Sequence, residues 1–208
     1  NKEQQIMIDA AKQEIKEASQ KINKLSELLK IDNLTIPPYQ RPYKWTEKNV
    51  IQLLEDIFEY VNIKNKEYRI GNIILHNDEK GNNVVDGQQR LTTISLLLKK
   101  LDNDYEGLLM NEKYKHSISK NNIVYNFRII DKWVNTKFGN DESKKTNFNT
   151  KILNKCEFVL FTVFRQDEAF QLFDSQNARG KALEPYDLLK AFHLREMDFD
   201  SEEDRTKC

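Results

Sequence analysis

The chain has 208 residues, 38% hydrophobic and 32% charged, with 33 basic and 33 acidic side chains. This composition excludes the disordered class, and a net charge of zero gives no whole-chain attraction to nucleic acid. No apolar run approaches a bilayer span and the start NKEQQIMIDAAKQE has no signal-peptide core, so a cytoplasmic protein without a membrane segment is expected.

In chain order, residues 1–30 read as one long helix. Ile8, Ala11, Ile15, Ala18, Ile22, Leu25 and Leu29 alternate steps of three and four, a heptad seam suited to packing on the body or to self-association. DNLTIPPYQRPYKW follows, and Pro37, Pro38 and Pro42 make it extended. Thr46 is a plausible N-cap for a helix with Val50, Leu54, Ile57, Phe58 and Val61 on one face. YRIGNIILHND reads as a strand, EKGNN as a turn and NVVD as a second strand, together a hairpin. After DGQQR comes a helix with Leu91, Ile94, Leu97, Leu98 and Leu101 inward.

Beyond Asp102 asparagine and lysine rise. Ile123 to Phe138 reads as a helix, GNDESKKTN as a loop, and Phe158 to Phe164 as a buried strand. Asp167 suits the cap of a helix through Phe173, NARGKALE reads as a loop, and Pro185 opens a last helix to Arg195. The fold class is α+β in three parts: an N-terminal helix over 1–30, a compact core over 31–110, and a mainly helical region with one late strand over 111–208. Between Glu112 and Lys155 ten basic residues face four acidic ones, an excess of six that reads as a solvated face or a phosphate-meeting patch.

Three runs carry chemistry. In VVDGQQRLTT a strand hands over to a helix at Gly87, whose freedom permits a tight turn and close approach of a ligand. The first amides of the helix lack internal partners and stand at its positive end, an anion site to which Arg90 adds a fork for phosphate oxygens. Gln88 and Gln89 are suited to orient a water or a phosphate oxygen, and Asp86 to hold a hydrated divalent metal or act as a base. The blander reading makes Asp86 a cap and Arg90 a surface ion pair. In YQRPYKW, aromatics interleave with cations, as a base-and-phosphate site requires. Tyr43 and Trp45 are assigned to packing, while Gln40 and Arg41 are harder to explain that way. In FDSQNARGKALEPYDLLKAF, Asn177, Arg179, Lys181, Asp187 and Lys190 offer polar groups to a shared cleft. His76, His116 and His193, like Cys156 and Cys208, show no metal spacing, and there is no P-loop.

IPPYQRPYKW, YRIGNIIL before VVDGQQRLTTI, and LFDSQNARGKALEPYDLLKAF together resemble the N-terminal domain family of GmrSD-type restriction systems, over roughly Leu25 to Leu194. The resemblance implies a small core similar to the ParB and sulfiredoxin fold, nucleoside-triphosphate binding and hydrolysis with Mg²⁺, and defence against modified phage DNA. It places the family motifs on Asp86, Gly87, Gln88, Gln89 and Arg90, on Tyr39, Gln40, Arg41, Tyr43 and Trp45, and on Asn177, Gly180, Leu183, Asp187, Leu188 and Lys190. It also implies an HNH-type nuclease as a separate domain or subunit, since no such segment precedes Cys208.

The expected mechanism puts phosphates on Arg90 and the helix-start amides. Asp86 assists Mg²⁺ or water, Gln88 or Gln89 positions the attacking water, and Arg41 is a second cation. Tyr39, Gln40, Asn177 and Lys190 are expected to complete nucleotide binding. The alternatives are a non-catalytic nucleotide- or DNA-binding sensor, in which Lys113 to Lys155 meet the backbone, and a ParB-like nuclease. The nuclease ranks last because no carboxylate cluster for two metals is evident.

Overall fold

The computed structural model describes residues 19–106, 109 and 117–177, with backbone alone over 174–177. It is α+β, built on one five-stranded mixed sheet in the order β1-β5-β3-β4-β2. The strands are β1 (Ser19–Lys24), β2 (Leu34–Thr35), β3 (Tyr68–Asp78), β4 (Gly81–Asp86) and β5 (Cys156–Val163). The helices are α1 (Leu25–Leu28), α2 (Glu47–Ile57, running on as a wider π turn over Phe58–Ile63), α3 (Gln88–Leu101), α4 (Ser117–Phe138), α5 (Glu142–Lys155) and α6 (Gln166–Asn177).

The hairpin forms as its sequence predicts: β3 and β4 pair antiparallel, Asp78 opposite Gly81. Asp78 Oδ1 accepts from the amides of Lys80 and Gly81, so the aspartate itself shapes the turn. β5 lies parallel to β3, from Tyr68 opposite Cys156 to His76 opposite Val163. The pairing slips between Arg69 and Gly71, a bulge that matters at the site below.

Both faces of the central strands are buried, which is why Ile73, Ile74 and Leu75 run on without a polar break. Ile73, Leu75 and Val84 join the larger core with Leu54, Leu91, Ile94, Ile130 and Phe148. Ile74, Val85 and Val163 turn the other way onto Ala169 and Phe173 of α6. The helix α2 starts at Thr46, whose amide and hydroxyl both donate to Asn49 Oδ1 (3.1 and 2.9 Å).

Three expectations are corrected. A helix over 1–30 is interrupted: Ser19–Lys24 is an edge strand antiparallel to β5, and Ile22, placed in the seam, is 50% exposed. The rest of the seam, before Ser19, lies outside the described residues. GNDESKKTN is largely helix. Asp141 Oδ1 accepts from the Lys144 amide (3.0 Å), capping α5, and Phe148 and Ile152 are its inward anchors. Finally, α4 begins at Ser117, a turn and a half before the apolar positions that predicted it. The last predicted helix, from Pro185, lies outside the described residues.

Candidate functional site

At the end of β4 the chain passes Asp86, turns at Gly87 and enters α3. Gly87 has φ +95°, a left-handed conformation, and an added Cβ would stand 3.1 Å from Ile73 Cγ1 and 3.3 Å from the Asn72 carbonyl oxygen. Both facts require glycine. The first intrahelical bond runs from the Leu91 amide to the Gly87 oxygen (3.0 Å). The amides of Gln88, Gln89 and Arg90 therefore have no partner within the helix and stand at its positive end.

A hollow of about 160 Å³ lies at this helix start. Asp86 to Arg90 line it, together with Gln40, Arg41 and Trp45 from the proline-stiffened loop, and Val85 and Phe173. The fold thus brings all three sequence runs to the hollow, the third through its first residue, Phe173. Of the third, Asn177 is the last residue of α6, while its side chain and Lys190 lie outside the described residues.

The predicted residues have unlike surroundings. Gln88 is 5% exposed, and its Oε1 has no hydrogen-bond partner. A buried acceptor left unmade costs about 1–3 kcal/mol, so this one calls for a donor from the hollow. Gln89 is committed elsewhere. Its Oε1 accepts from the amides of Lys44 (2.9 Å) and Trp45 (3.1 Å), and its Nε2 donates to the Pro42 oxygen (3.2 Å). Gln89 therefore anchors the upstream loop, and its oxygen has no free lone pair for a water. Gln40 does similar work, its Nε2 donating to the carbonyls of Val84 (2.9 Å) and Val85. Tyr39 packs edge-on against Phe170, centroids 6.0 Å apart, rather than lining the hollow.

The cations also differ. Arg41 is exposed and has no ion-pair partner among the described residues. Arg90 is 26% exposed, with Nη1 3.4 Å from the Ile70 oxygen and Nη2 3.8 Å from Asp86 Oδ2. Both distances are long, so the guanidinium is guided rather than neutralised. The bulge at Gly71 makes room for it. A Cβ there would fall 1.9 Å from Arg90 Nη1, and Gly71 has φ +138°. Among the described residues Asp86 is the one carboxylate lining the hollow, and no three metal-ligating side chains stand together.

Beneath the loop lies a buried relay that the sequence did not signal. Thr93 Oγ1 donates to the Gln89 carbonyl (2.9 Å), which uses its single proton. The fully buried Tyr43 must then donate to Thr93 (2.8 Å) and accept from Asn126 Nδ2 (3.0 Å). Burial pushes the Tyr43 hydroxyl upward, against the opposing effect of Thr93 and Asn126, which keeps it a proton donor. Asn126 also donates to the Trp45 oxygen (2.8 Å), and Ser119 Oγ accepts from the Tyr43 amide (3.0 Å). Helix α4 thereby holds the loop from behind. Tyr43→Phe is expected to lower unfolding free energy by about 1–3 kcal/mol, because it strands the Asn126 donor, measured as a shift in urea midpoint at constant slope.

In the basic run, five of the eight described cations have polar partners. Lys137 pairs with Glu55 (2.9 Å), and Lys144 and Lys145 pair with Asp141 (3.2 Å) and Glu142 (2.7 Å). Lys151 donates to Asn62 and Lys155 to the Asn65 oxygen. Cys156 is buried, its thiol pushed up to about 12, hence inert. No helix among the described residues is long and apolar enough to cross a membrane.

No curated protein sequence matches the chain. The family model described as "GmrSD restriction endonuclease, N-terminal domain" matches residues 22–194. That span takes in the sheet from Ile22 onward, the hollow and all three motif runs, so the chain belongs to the GmrSD restriction endonuclease N-terminal domain family.

Proposed function

We propose that this domain binds a nucleoside triphosphate at the Gly87 turn and hydrolyses it, as the regulatory part of a modification-dependent restriction or phage-defence protein. A ParB- and sulfiredoxin-like likeness of the core belongs to the same proposal. The observation that carries it is the buried, unpartnered Oε1 of Gln88, a residue that lines the hollow at the helix start together with Arg41 and Arg90. At about 160 Å³ the hollow is below the roughly 300–1,000 Å³ of a site that encloses a whole small molecule, so it takes the phosphates and leaves the nucleoside at the mouth.

In this reading the amides of Gln88 to Arg90 and the Arg90 fork hold phosphate oxygens. Gln88 Oε1 accepts a hydrogen bond from the attacking water. The water oxygen bonds to the γ-phosphorus, the bond from that phosphorus to the bridging β-phosphate oxygen breaks, the water's proton passes to an oxygen of the released phosphate, and a nucleoside diphosphate leaves with the bridging oxygen. Arg41 stabilises charge developing on the transferring group. Gln89 and Gln40 keep the loop carrying Arg41 in place. A lone carboxylate fits Mg²⁺, which is commonly held by one or two carboxylates with substrate phosphates and water, and here Asp86 would hold it. When bound it supplies charge neutralisation on the phosphate oxygens.

The test is a thermal-shift series with ATP, GTP, CTP and UTP, each with Mg²⁺. At a hundredfold excess over Kd, binding adds about 2.7 kcal/mol, or about 5–10 °C in Tm for a domain of this size. No shift with any of the four overturns the reading. Steady-state phosphate release then separates hydrolysis from a non-catalytic sensor.

A DNA partner is favoured by one further observation. Lys120, Arg128 and Lys132 recur at multiples of four along α4 and have no ion-pair partner among the described residues, unlike Lys144 and Lys145 of α5. Such a stripe suits a phosphate backbone, and its removal is expected to flatten the salt dependence of DNA binding. An HNH-type nuclease, as a further domain or a separate subunit, is the partner proposed for cutting.

A further inference from the structure

We infer that Trp45 is the stacking platform for the nucleobase, so that the site takes nucleoside triphosphates of any base. This rests on the phosphate reading of the Gly87 turn, which has an independent mark in the unpartnered, 5% exposed Gln88 at that helix start. The hollow is too small for a whole nucleotide, so the base must lie against its rim. Among the described residues two aromatics line it. Phe173 is 4% exposed and closed in by the smaller core, whereas Trp45 packs against the edge of the larger core and is only half-buried.

The backbone of Trp45 is fixed on both sides. Its amide donates to Gln89 Oε1 (3.1 Å), and its oxygen accepts from Asn126 Nδ2 (2.8 Å). Those bonds tie it to α3, the helix whose start would hold the phosphates, and to α4. A packing tryptophan at a loop surface has no need of two buried amide clamps, while a platform that must hold its place relative to a phosphate site does. Arg41, four residues earlier on the same loop, also lines the hollow and brings a cation to it. Stacking uses a face that every base possesses, so it carries no base preference by hydrogen bonding.

The experiment is isothermal titration of the full chain and its Trp45→Ala and Trp45→Phe variants. The ligands are each of the four nucleoside triphosphates with Mg²⁺ and, separately, inorganic triphosphate with Mg²⁺. Melting temperatures establish that each variant is folded. Trp45→Ala is expected to weaken every nucleotide about tenfold or more and to leave inorganic triphosphate within about twofold, while Trp45→Phe retains most nucleotide affinity. Fluorescence gives a second readout. Of the two tryptophans, Trp133 is 6% exposed and held by Glu55 (2.7 Å), so quenching by nucleotide is expected to persist in Trp133→Phe and to vanish in Trp45→Phe. Equal weakening of nucleotide and inorganic triphosphate, or no weakening of either, overturns the platform and leaves the phosphate site standing. Failure of the wild-type chain to bind both overturns the phosphate site and the platform with it.

Discussion

Gly71→Ala is expected to weaken nucleotide binding by about tenfold to a hundredfold, as much as Arg90→Ala does, although residue 71 need not touch the ligand. The new Cβ would lie 1.9 Å from Arg90 Nη1, and the flexible end of the arginine is what gives way. A charge-assisted hydrogen bond is worth about 1.5–3 kcal/mol, which sets the size of the loss when the fork leaves its slot. The φ of +138° adds a backbone cost of about 1–3 kcal/mol, read separately as a fall in Tm. Isothermal titration of Gly71→Ala, Arg90→Ala and the double variant checks the claim. The double variant is expected to bind no worse than Arg90→Ala, because both changes remove one interaction. Additive losses would mean that Gly71 acts on binding by another route.

Gln89→Ala is expected to be the most destabilising change at the site. One side chain satisfies the amides of Lys44 and Trp45 and the Pro42 oxygen, linking α3 to the whole YQRPYKW loop. Its removal leaves two amide donors and a carbonyl without partners at a partly buried position. At about 1–3 kcal/mol for each group that water does not reach, a loss of about 3–5 kcal/mol is expected, with the urea midpoint falling accordingly. Gln89→Glu separates the roles. It keeps both acceptor positions and loses the Pro42 donor, so most of the stability is expected to return. Had Gln89 served chiefly to orient a water, Gln89→Ala would leave stability near wild type.

Much of the fold was legible because its elements carry their own signals. The β3–β4 hairpin is marked by β-branched runs around a turn whose aspartate bonds the following amides. Helix α3 and strand β5 are marked by apolar positions that are indeed buried. β1 was illegible for a physical reason. An edge strand on an open face buries little, here Asn23, so no alternation marks it, and Ile22 fell into a helical period by coincidence. Helix α5 hides its first turns in polar residues and ion pairs, with apolar anchors only at Phe148 and Ile152.

The site divides in the same way. That Asp86 to Arg90 share a hollow with Gln40 and Arg41 follows from a turn glycine, an exposed helix start and a stiff cation-bearing loop, all readable in one dimension. The separation of Gln88 from Gln89 was not, because two adjacent glutamines look alike until a loop folds onto one of them. Nor was the tie of Gly71 to Arg90, which depends on a bulge in a pairing with a strand more than eighty residues away. Trp45 was read as packing and also lines the hollow.

The place of β5 in the sheet has a consequence for how the molecule comes into being. It is the last strand among the described residues yet sits between β1 and β3, joining Thr162 to Ser19 and Cys156 to Tyr68. Such distant partners give a high contact order, and parallel pairing closes slowly because the intervening chain must be gathered first. During synthesis the hairpin and α3 emerge well before their neighbour, so an apolar strand waits with one side open. The phosphate turn can be made early, but its surroundings are completed only when the chain has passed Val163 and Phe173 has arrived.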